Sequence, residues 1–242
     1  MKQNKYDDEV FFERYSSMDR STQGLTGAGE WPALRAMLPD FTGKRVLDLG
    51  CGFGWHCQYA LDNGAVSATG VDISQKMLAE GVRKFPKVNF ILSPIEDVIF
   101  PENSFEAVLS SLAFHYLKSF EDICVKVRRC LSPGGVFVFS VEHPIFTAQG
   151  PQQWFEDEGG VRLHWPVDNY FNDGPRQAVF LGERVLKYHR TVTTYISALL
   201  DSGFEITGVK EPAPDKNLLC RIPEMRDELR RPMMLLVSAA AC

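Results

Sequence analysis

Apolar residues recur along this chain in two alternating rhythms, and between residues 45 and 141 the alternation is regular. Nearly continuous apolar runs predict strands at 45–49, 67–71, 88–92, 105–111 and 135–141, and stretches of helical spacing predict helices at 54–63, 74–83 and 119–131. The runs Ala107-Val108-Leu109 and Val136-Phe137-Val138-Phe139 are apolar at every position. Strands of that kind are buried on both faces, so the pattern specifies a parallel sheet covered by helices. Ahead of it, 7–19 and 30–37 carry helical patterns, with Val10, Phe11, Tyr15 and Met18, then Trp31, Leu34 and Met37. These predict a helical flap. After residue 190 the rhythm resumes with a helix at 191–201 and strands at 204–209 and 233–239.

Between 142 and 190 both rhythms stop. Pro144, Pro151, Pro166 and Pro175 punctuate the segment, and Phe146, Trp154, Phe155, Trp165, Tyr170 and Phe171 make it aromatic. A connection of this length inside a compact domain is usually a lid or a binding element, and a substrate lid is the expectation here. Trp154, Trp165, Tyr170 and Phe171 are candidates for a cage around an apolar or cationic ligand; packing of the lid on its own body is the plainer expectation for at least half of them.

The first predicted strand runs straight into Gly50-Cys51-Gly52-Phe53-Gly54. Glycines are needed where the backbone takes left-handed angles or where a ligand comes closer than a Cβ allows, and the helix that follows offers free N–H groups at its start. The spacing is G-x-G-x-G. A dinucleotide fingerprint wants a third glycine at the sixth position, where Trp55 stands. Asp48, two residues before the first glycine, would repel a pyrophosphate and attract a cationic group.

With that motif the sequence resembles the class I S-adenosylmethionine-dependent methyltransferases, of the bacterial small-molecule type. The resemblance continues through Gly70-Val71-Asp72-Ile73-Ser74, Phe100-Pro101-Glu102-Asn103-Ser104-Phe105-Glu106 and Leu131-Ser132-Pro133-Gly134-Gly135-Val136-Phe137-Val138. Four motifs in order, over about residues 40 to 145, make it specific. It implies a doubly wound, Rossmann-like α/β fold: a seven-stranded, mostly parallel sheet whose last strand lies antiparallel between the fifth and sixth. The expected organisation is a single domain, with a flap at 1–40, a cofactor-binding half at 41–141, a substrate lid at 142–190 and a C-terminal part at 191–242. S-adenosylmethionine is the implied cofactor, with S-adenosylhomocysteine as product.

The resemblance also implies roles. Gly50, Gly52 and Gly54 would let the backbone approach the cofactor, Asp48 would meet its ammonium directly or through water, and Asp72 would accept both ribose hydroxyls. Ile73 and Met77 would pack on the adenine, and Ser74 would cap the next helix and leave Asp72 free. Pro94 stands where the family often has an acidic residue for the adenine amino group, so that hydrogen bond is either absent or supplied by Glu96 or Asp97, with the Ile95 N–H for a ring nitrogen. Ser111 lies in the segment after strand four that lines the methionine end. Tyr15 and Arg20 of the flap would close over the cofactor, with Arg20 on its carboxylate.

Methyl transfer is an in-line displacement at an activated carbon, so holding the nucleophile in line is the main task. Where a base helps, a histidine near neutrality suits it. His115 and His143 are the candidates, because each lies at or just past a strand's C-terminal end; capping and turn-shaping are the plainer readings of both. The segment 110–116 lacks the Asn/Asp-Pro-Pro-aromatic motif of enzymes that methylate base amino groups.

A formal charge of −5 also argues against a nucleic-acid partner, which usually meets a basic face. No apolar stretch reaches the roughly 18 residues of a membrane span, and a cytoplasmic, soluble monomer or homodimer acting on a small-molecule acceptor is expected. The cysteines, Cys51, Cys57, Cys124, Cys130, Cys220 and Cys242, form no C-x-x-C pair, and no metal site is expected. Two other readings remain open at this point: a nicotinamide-dependent reductase, disfavoured by Trp55 and Asp48, and a non-catalytic S-adenosylmethionine-binding protein.

Overall fold

The computed structural model describes residues 2–214 and 216–242. Its centre is a seven-stranded sheet built from β1 (Arg45–Leu49), β2 (Ser67–Asp72), β3 (Asn89–Leu92), β4 (Phe105–Ser111), β5 (Leu131–Glu142), β10 (Phe204–Lys210) and β11 (Met234–Ala241), in the order β10-β11-β5-β4-β1-β2-β3. The pairings among β1 to β5 are parallel, and β11 runs antiparallel to both β5 and β10. The strand order reverses at β1, between the crossovers to β2 and to β4. Open sheets of this kind place their ligand crevice at that reversal, outside the C-terminal strand ends.

Both faces of β1 are buried, as its unbroken apolar run requires. Leu47 and Leu49 join one core with Phe120, Ile123 and Val127 of α6 (Phe120–Cys130) and Tyr195 and Leu199 of α8 (Val192–Asp201). Val46 faces the other core, with Trp31 and Leu34 of α3 (Trp31–Arg35) and Ala60 of α4 (Trp55–Asp62). Side-chain caps fix the helix starts: Ser119 caps α6, Thr191 caps α8, and Ser74 accepts the Met77 N–H at the start of α5 (Gln75–Lys84), each worth about 1 kcal/mol.

The N-terminal pattern resolves into α1 (Glu9–Ser16) and α2 (Asp19–Thr22). The segment from 142 to 190 holds more regular structure than its composition suggests. After a single turn, α7 (Pro144–Thr147), and the short pair β6 (Phe155–Glu156) and β7 (Arg162–His164), it forms a seven-pair hairpin of β8 (Gly174–Phe180) and β9 (Glu183–His189). The hairpin turns on Leu181 and Gly182, at φ 52° and 79°. Two successive positive φ angles belong to the tight turns that suit strand twist, usually written Asn-Gly or Asp-Gly. A leucine in the first place hides the signal.

Candidate active site

A cavity of about 790 Å³ opens where the strand order reverses. Its floor is the C-terminal edge of the sheet. Gly50, Gly52 and Gly54 all have positive φ, at 79°, 53° and 84°. A Cβ on Gly50 would stand 2.4 Å from Ala113 Cβ, one on Gly54 would stand 2.6 Å from Phe90 Cζ, and one on Gly52 would meet nothing within 4 Å. Gly50 and Gly52 line the cavity, whereas Gly54 packs behind the turn and begins α4.

Asp72 ends β2 and ties the turn together. Its Oδ2 accepts the Gly52 N–H and its Oδ1 the Ser74 N–H, both at 2.9 Å. An ionised carboxylate has about four lone-pair sites, so each oxygen keeps capacity for a hydroxyl in the cavity. Burial raises the carboxyl's pKa, and the two N–H bonds counter it. Ile73, Met77, Ile95, Glu96 and Ser111 line the same cavity, as do Tyr15, Arg20 and His115.

Asp48 and His143 do not line it. Asp48 is buried behind the turn, with Oδ2 3.8 Å from both Cys57 Sγ and His56 Nδ1 and Oδ1 without a hydrogen-bond partner. Burial, then the charge of Asp72, pushes its pKa to about 7, and burial pushes that of His56 down to about 4. The close approach of the two is therefore not an ion pair at neutral pH. His143 caps α7, its Nδ1 accepting the Ile145 N–H at 3.0 Å, and its Nε2 lies 2.7 Å from Glu211 Oε1. Successive side chains at a strand end point to opposite faces: Glu142 faces the cavity and His143 does not.

Several lining residues carry no signal in the sequence. Glu30, 2% exposed, pairs with Arg20 through Oε1, and its buried Oε2 has no hydrogen-bond partner. Leu112 lines the cavity at φ 54°, held by its N–H to the Ser140 carbonyl at 2.9 Å; left-handed backbone at a leucine costs roughly 1–2 kcal/mol. Glu142 and Lys187 meet at 2.5 Å. For Glu142, the position just past a strand end is the same signal that nominated His143. For Glu30 and Lys187 there is none, because an acid before a helix and a lysine in an aromatic segment are ordinarily solvated charges.

The roof comes from two distant parts of the chain. Gln3 bridges to the β9 backbone, accepting the Leu186 N–H at 2.8 Å, Arg14 donates to the Leu181 carbonyl at 2.7 Å, and Phe11 packs with Ala178 and Val185. The N-terminal segment is also tied to the floor. Asp7 accepts from Ser74 Oγ at 2.6 Å and from the Lys76 N–H at 3.0 Å, and Lys2 reaches Asp97 at 2.6 Å.

The lid aromatics mostly hold the lid itself. The Arg231 guanidinium sits 4.0 Å from the Trp165 ring centroid, 4.6 Å from Phe146 and 5.2 Å from Trp154. The second arginine of Arg230-Arg231-Pro232 is thus buried in an aromatic cage. Tyr170 packs on His189, and Phe171 is 89% exposed.

S-adenosylmethionine carries an ammonium, a carboxylate, a ribose and a sulfonium, and the residues present fit those groups. The orphaned Glu30 Oε2 suits a cation, Arg20 an anion, Asp72 a pair of hydroxyls, and the open space at the Gly52 Cα a close backbone approach. Among the described residues no His/Cys/Asp/Glu group is placed to hold a metal ion, and no helix is long and apolar enough to cross a membrane.

Residues 47–139 match the methyltransferase domain family. Among solved structures, the chain is similar to a protein of Listeria monocytogenes assigned as an S-adenosylmethionine-dependent methyltransferase, with 56% identity and a TM-score of 0.86 over 90% of this chain and 99% of that one. It is also similar to an S-adenosylmethionine-dependent methyltransferase of Mesorhizobium loti, with 45% identity and a TM-score of 0.83 over 90% of this chain and 100% of that one. A malonyl-[acyl-carrier protein] O-methyltransferase of Enterobacter lignolyticus is 38% identical over 45% of this chain and 43% of its own length.

Proposed function

The chain belongs to the S-adenosylmethionine-dependent methyltransferases and uses S-adenosylmethionine as methyl donor, and on that premise we propose that its acceptor is a small molecule enclosed between the sheet edge and the roof. The observation that carries this reading is the cavity of about 790 Å³ that runs from Gly50 and Asp72 to Phe180 and Lys187. That volume lies toward the upper end of the roughly 300–1,000 Å³ of ligand clefts, which leaves room beside a cofactor. A deep, partly aromatic cavity suits a compact acceptor better than a nucleic-acid strand, and the net charge of −5 points the same way.

When bound, the cofactor supplies a methyl group activated by its sulfonium. The protein's own residues bind and orient. Asp72 holds the ribose hydroxyls, Arg20 takes the carboxylate and Glu30 the ammonium, while Gly50 and Gly52 admit the chain of the ligand against the backbone. Ile73, Met77 and Ile95 pack the adenine, and Glu96 stands at its edge. Ser111 orients Glu30 from 3.4 Å. The flap and the β8–β9 hairpin form the lid, which excludes water and keeps the acceptor near the methyl group, where alignment supplies most of the rate. His115 borders the acceptor side; His143 shapes α7.

Calorimetric titration is expected to show one S-adenosylhomocysteine site per chain, and a methyl-labelled donor incubated with cell extract is expected to label the small-molecule fraction. Label recovered only in RNA or protein would overturn the small-molecule reading.

A further inference from the structure

The cavity beyond the glycine turn has Tyr6, Phe11, Tyr116, Phe180 and Val185 among its walls, and Lys2, Lys5 and Lys118 also border it. The polar wall is built from Glu142, Gln152, Lys187 and His115. Lys187 is 2% exposed. A buried ammonium is tolerated only when its charge is paired and its N–H groups are used. It donates to Glu142 Oε1 at 2.5 Å and to Gln152 Oε1 at 3.0 Å, while the Gln152 amide donates to Glu142 Oε2 at 2.8 Å. The three side chains form a closed ring, in which both Glu142 oxygens are engaged. An ammonium has three donors, of which this ring uses two; the ammonium also stands 5.5 Å from the centroid of the Phe180 ring at the cavity wall.

His115 adds a second donor. Its Nδ1 accepts the Glu142 backbone N–H at 3.4 Å, which places the ring proton on Nε2. Burial, against the opposing charge of Glu142 and with the help of Lys187, Arg190 and Arg20, holds its pKa down at about 4. At neutral pH the ring is therefore an uncharged Nε2–H donor. The Tyr6 hydroxyl donates toward that of Tyr116 at 3.5 Å, and burial raises the pKa of both, so neither is a base.

An acceptor that must lose a proton inside this chamber meets donors and a carboxylate already occupied. An acceptor that arrives as an anion meets two donors. We propose that the acceptor is a compact, mostly apolar molecule bearing an acidic oxygen, a phenol, enol or carboxylic acid, which binds as its oxyanion to Lys187 and His115 and is methylated on that oxygen. The proposal rests on the reading of this cavity as the acceptor chamber. The acceptor's proton leaves to solvent before binding, the oxygen lone pair forms the new O–C bond, and the electron pair of the broken S–C bond stays on sulfur. No base is needed. Lys187 fixes the charge, and Glu142 and Gln152 hold Lys187 in place.

The test uses 4-nitrophenol, whose anion absorbs in the visible, titrated onto the full chain saturated with S-adenosylhomocysteine. The bound probe is expected to ionise about one pH unit lower than the free one, a tenfold preference for the anion. In Lys187→Met the shift is expected to vanish while S-adenosylhomocysteine affinity stays within about twofold, which shows that the variant is folded; Lys187→Arg is expected to restore part of it. Displacement by benzoate more than by pentafluorophenol, an acidic phenol that is also ionised at pH 7, assigns the carboxylic acid as the source of the oxyanion, and the reverse assigns the phenol or enol. Binding of the probe as the neutral phenol, or an unchanged shift in Lys187→Met, overturns the proposal while leaving the cofactor reading intact. Absence of S-adenosylhomocysteine binding to the parent chain overturns that reading as well.

Discussion

The floor and the roof of the cavity are built on opposite principles. The floor is backbone: three left-handed glycines, a carboxylate that accepts two N–H groups, and strand ends fixed by parallel pairing on both sides of β1. It rests on a core that draws in both sheet and helices. The roof is side chain: Gln3, Asp7 and Arg14 reach across the fold to partners far along the chain, and its apolar anchor is the small cluster of Phe11, Ala178 and Val185. A region with few buried apolar contacts opens at lower free-energy cost than the core. The roof is therefore expected to open at lower cost than the floor.

The largest break in this contrast is expected from Gly50→Ala. The added Cβ lies 2.4 Å from Ala113 Cβ at φ 79°, so overpacking and left-handed strain together cost about 2–5 kcal/mol. At roughly 2–4 °C per kcal/mol for a chain of this size, calorimetry should show a melting point lower by about 4 °C or more; an unchanged one would mean that the turn yields freely. Asp72→Ala comes next. Loss of a charged acceptor costs about 1.5–3 kcal/mol, so titration is expected to show S-adenosylhomocysteine binding about 10- to 100-fold weaker, with the fold kept.

On the roof, Asp7→Ala tests the tie between the N-terminal segment and α5, at about 1 kcal/mol by analogy with a helix cap. Burial alone would raise the Asp7 pKa, but hydrogen bonds from Ser74, Lys76, Asn4 and Gln75 bring it below the ordinary 3.8. A depressed carboxyl stabilises the fold above its unfolded pKa and loses that contribution as pH falls through the folded value. The variant should thus lose stability at pH 7, and the difference should shrink below about pH 4; a difference independent of pH would remove the carboxylate from the tie. The smallest effect is expected at His143→Ala, outside both regions. Loss of a cap on the single turn α7 costs about 0.5 kcal/mol, and turnover on an identified acceptor should stay within about twofold. A large fall in kcat would return His143 to the chemistry.

The floor was legible because its demands are local. Glycine at 50, 52 and 54 answers a backbone requirement, Asp72 and Ser74 sit at a strand end and a helix start, and the apolar runs announce strands buried on both faces. The antiparallel position of the last strand followed from the family pattern. Of the roof, the N-terminal part was legible as a helical flap, and the hairpin only as an irregular aromatic segment. Leu181-Gly182 turns the chain as Asn-Gly would, without its signature, and Arg231 passes for a surface charge until Phe146, Trp154 and Trp165 enclose it.

Taken alone, the sequence determined the alternation of strands and helices, the glycine turn and its acidic companions, and through them the donor of the methyl group. Tertiary structure decided which neighbour of a pair faces the cavity, Glu142 and not His143, and brought Glu30, Lys187 and Tyr6 to walls they share with residues far along the chain. Backbone geometry is dictated within a few residues, and so it leaves a motif. A side chain's place in a cavity depends on packing across the whole fold, which no short stretch of sequence records.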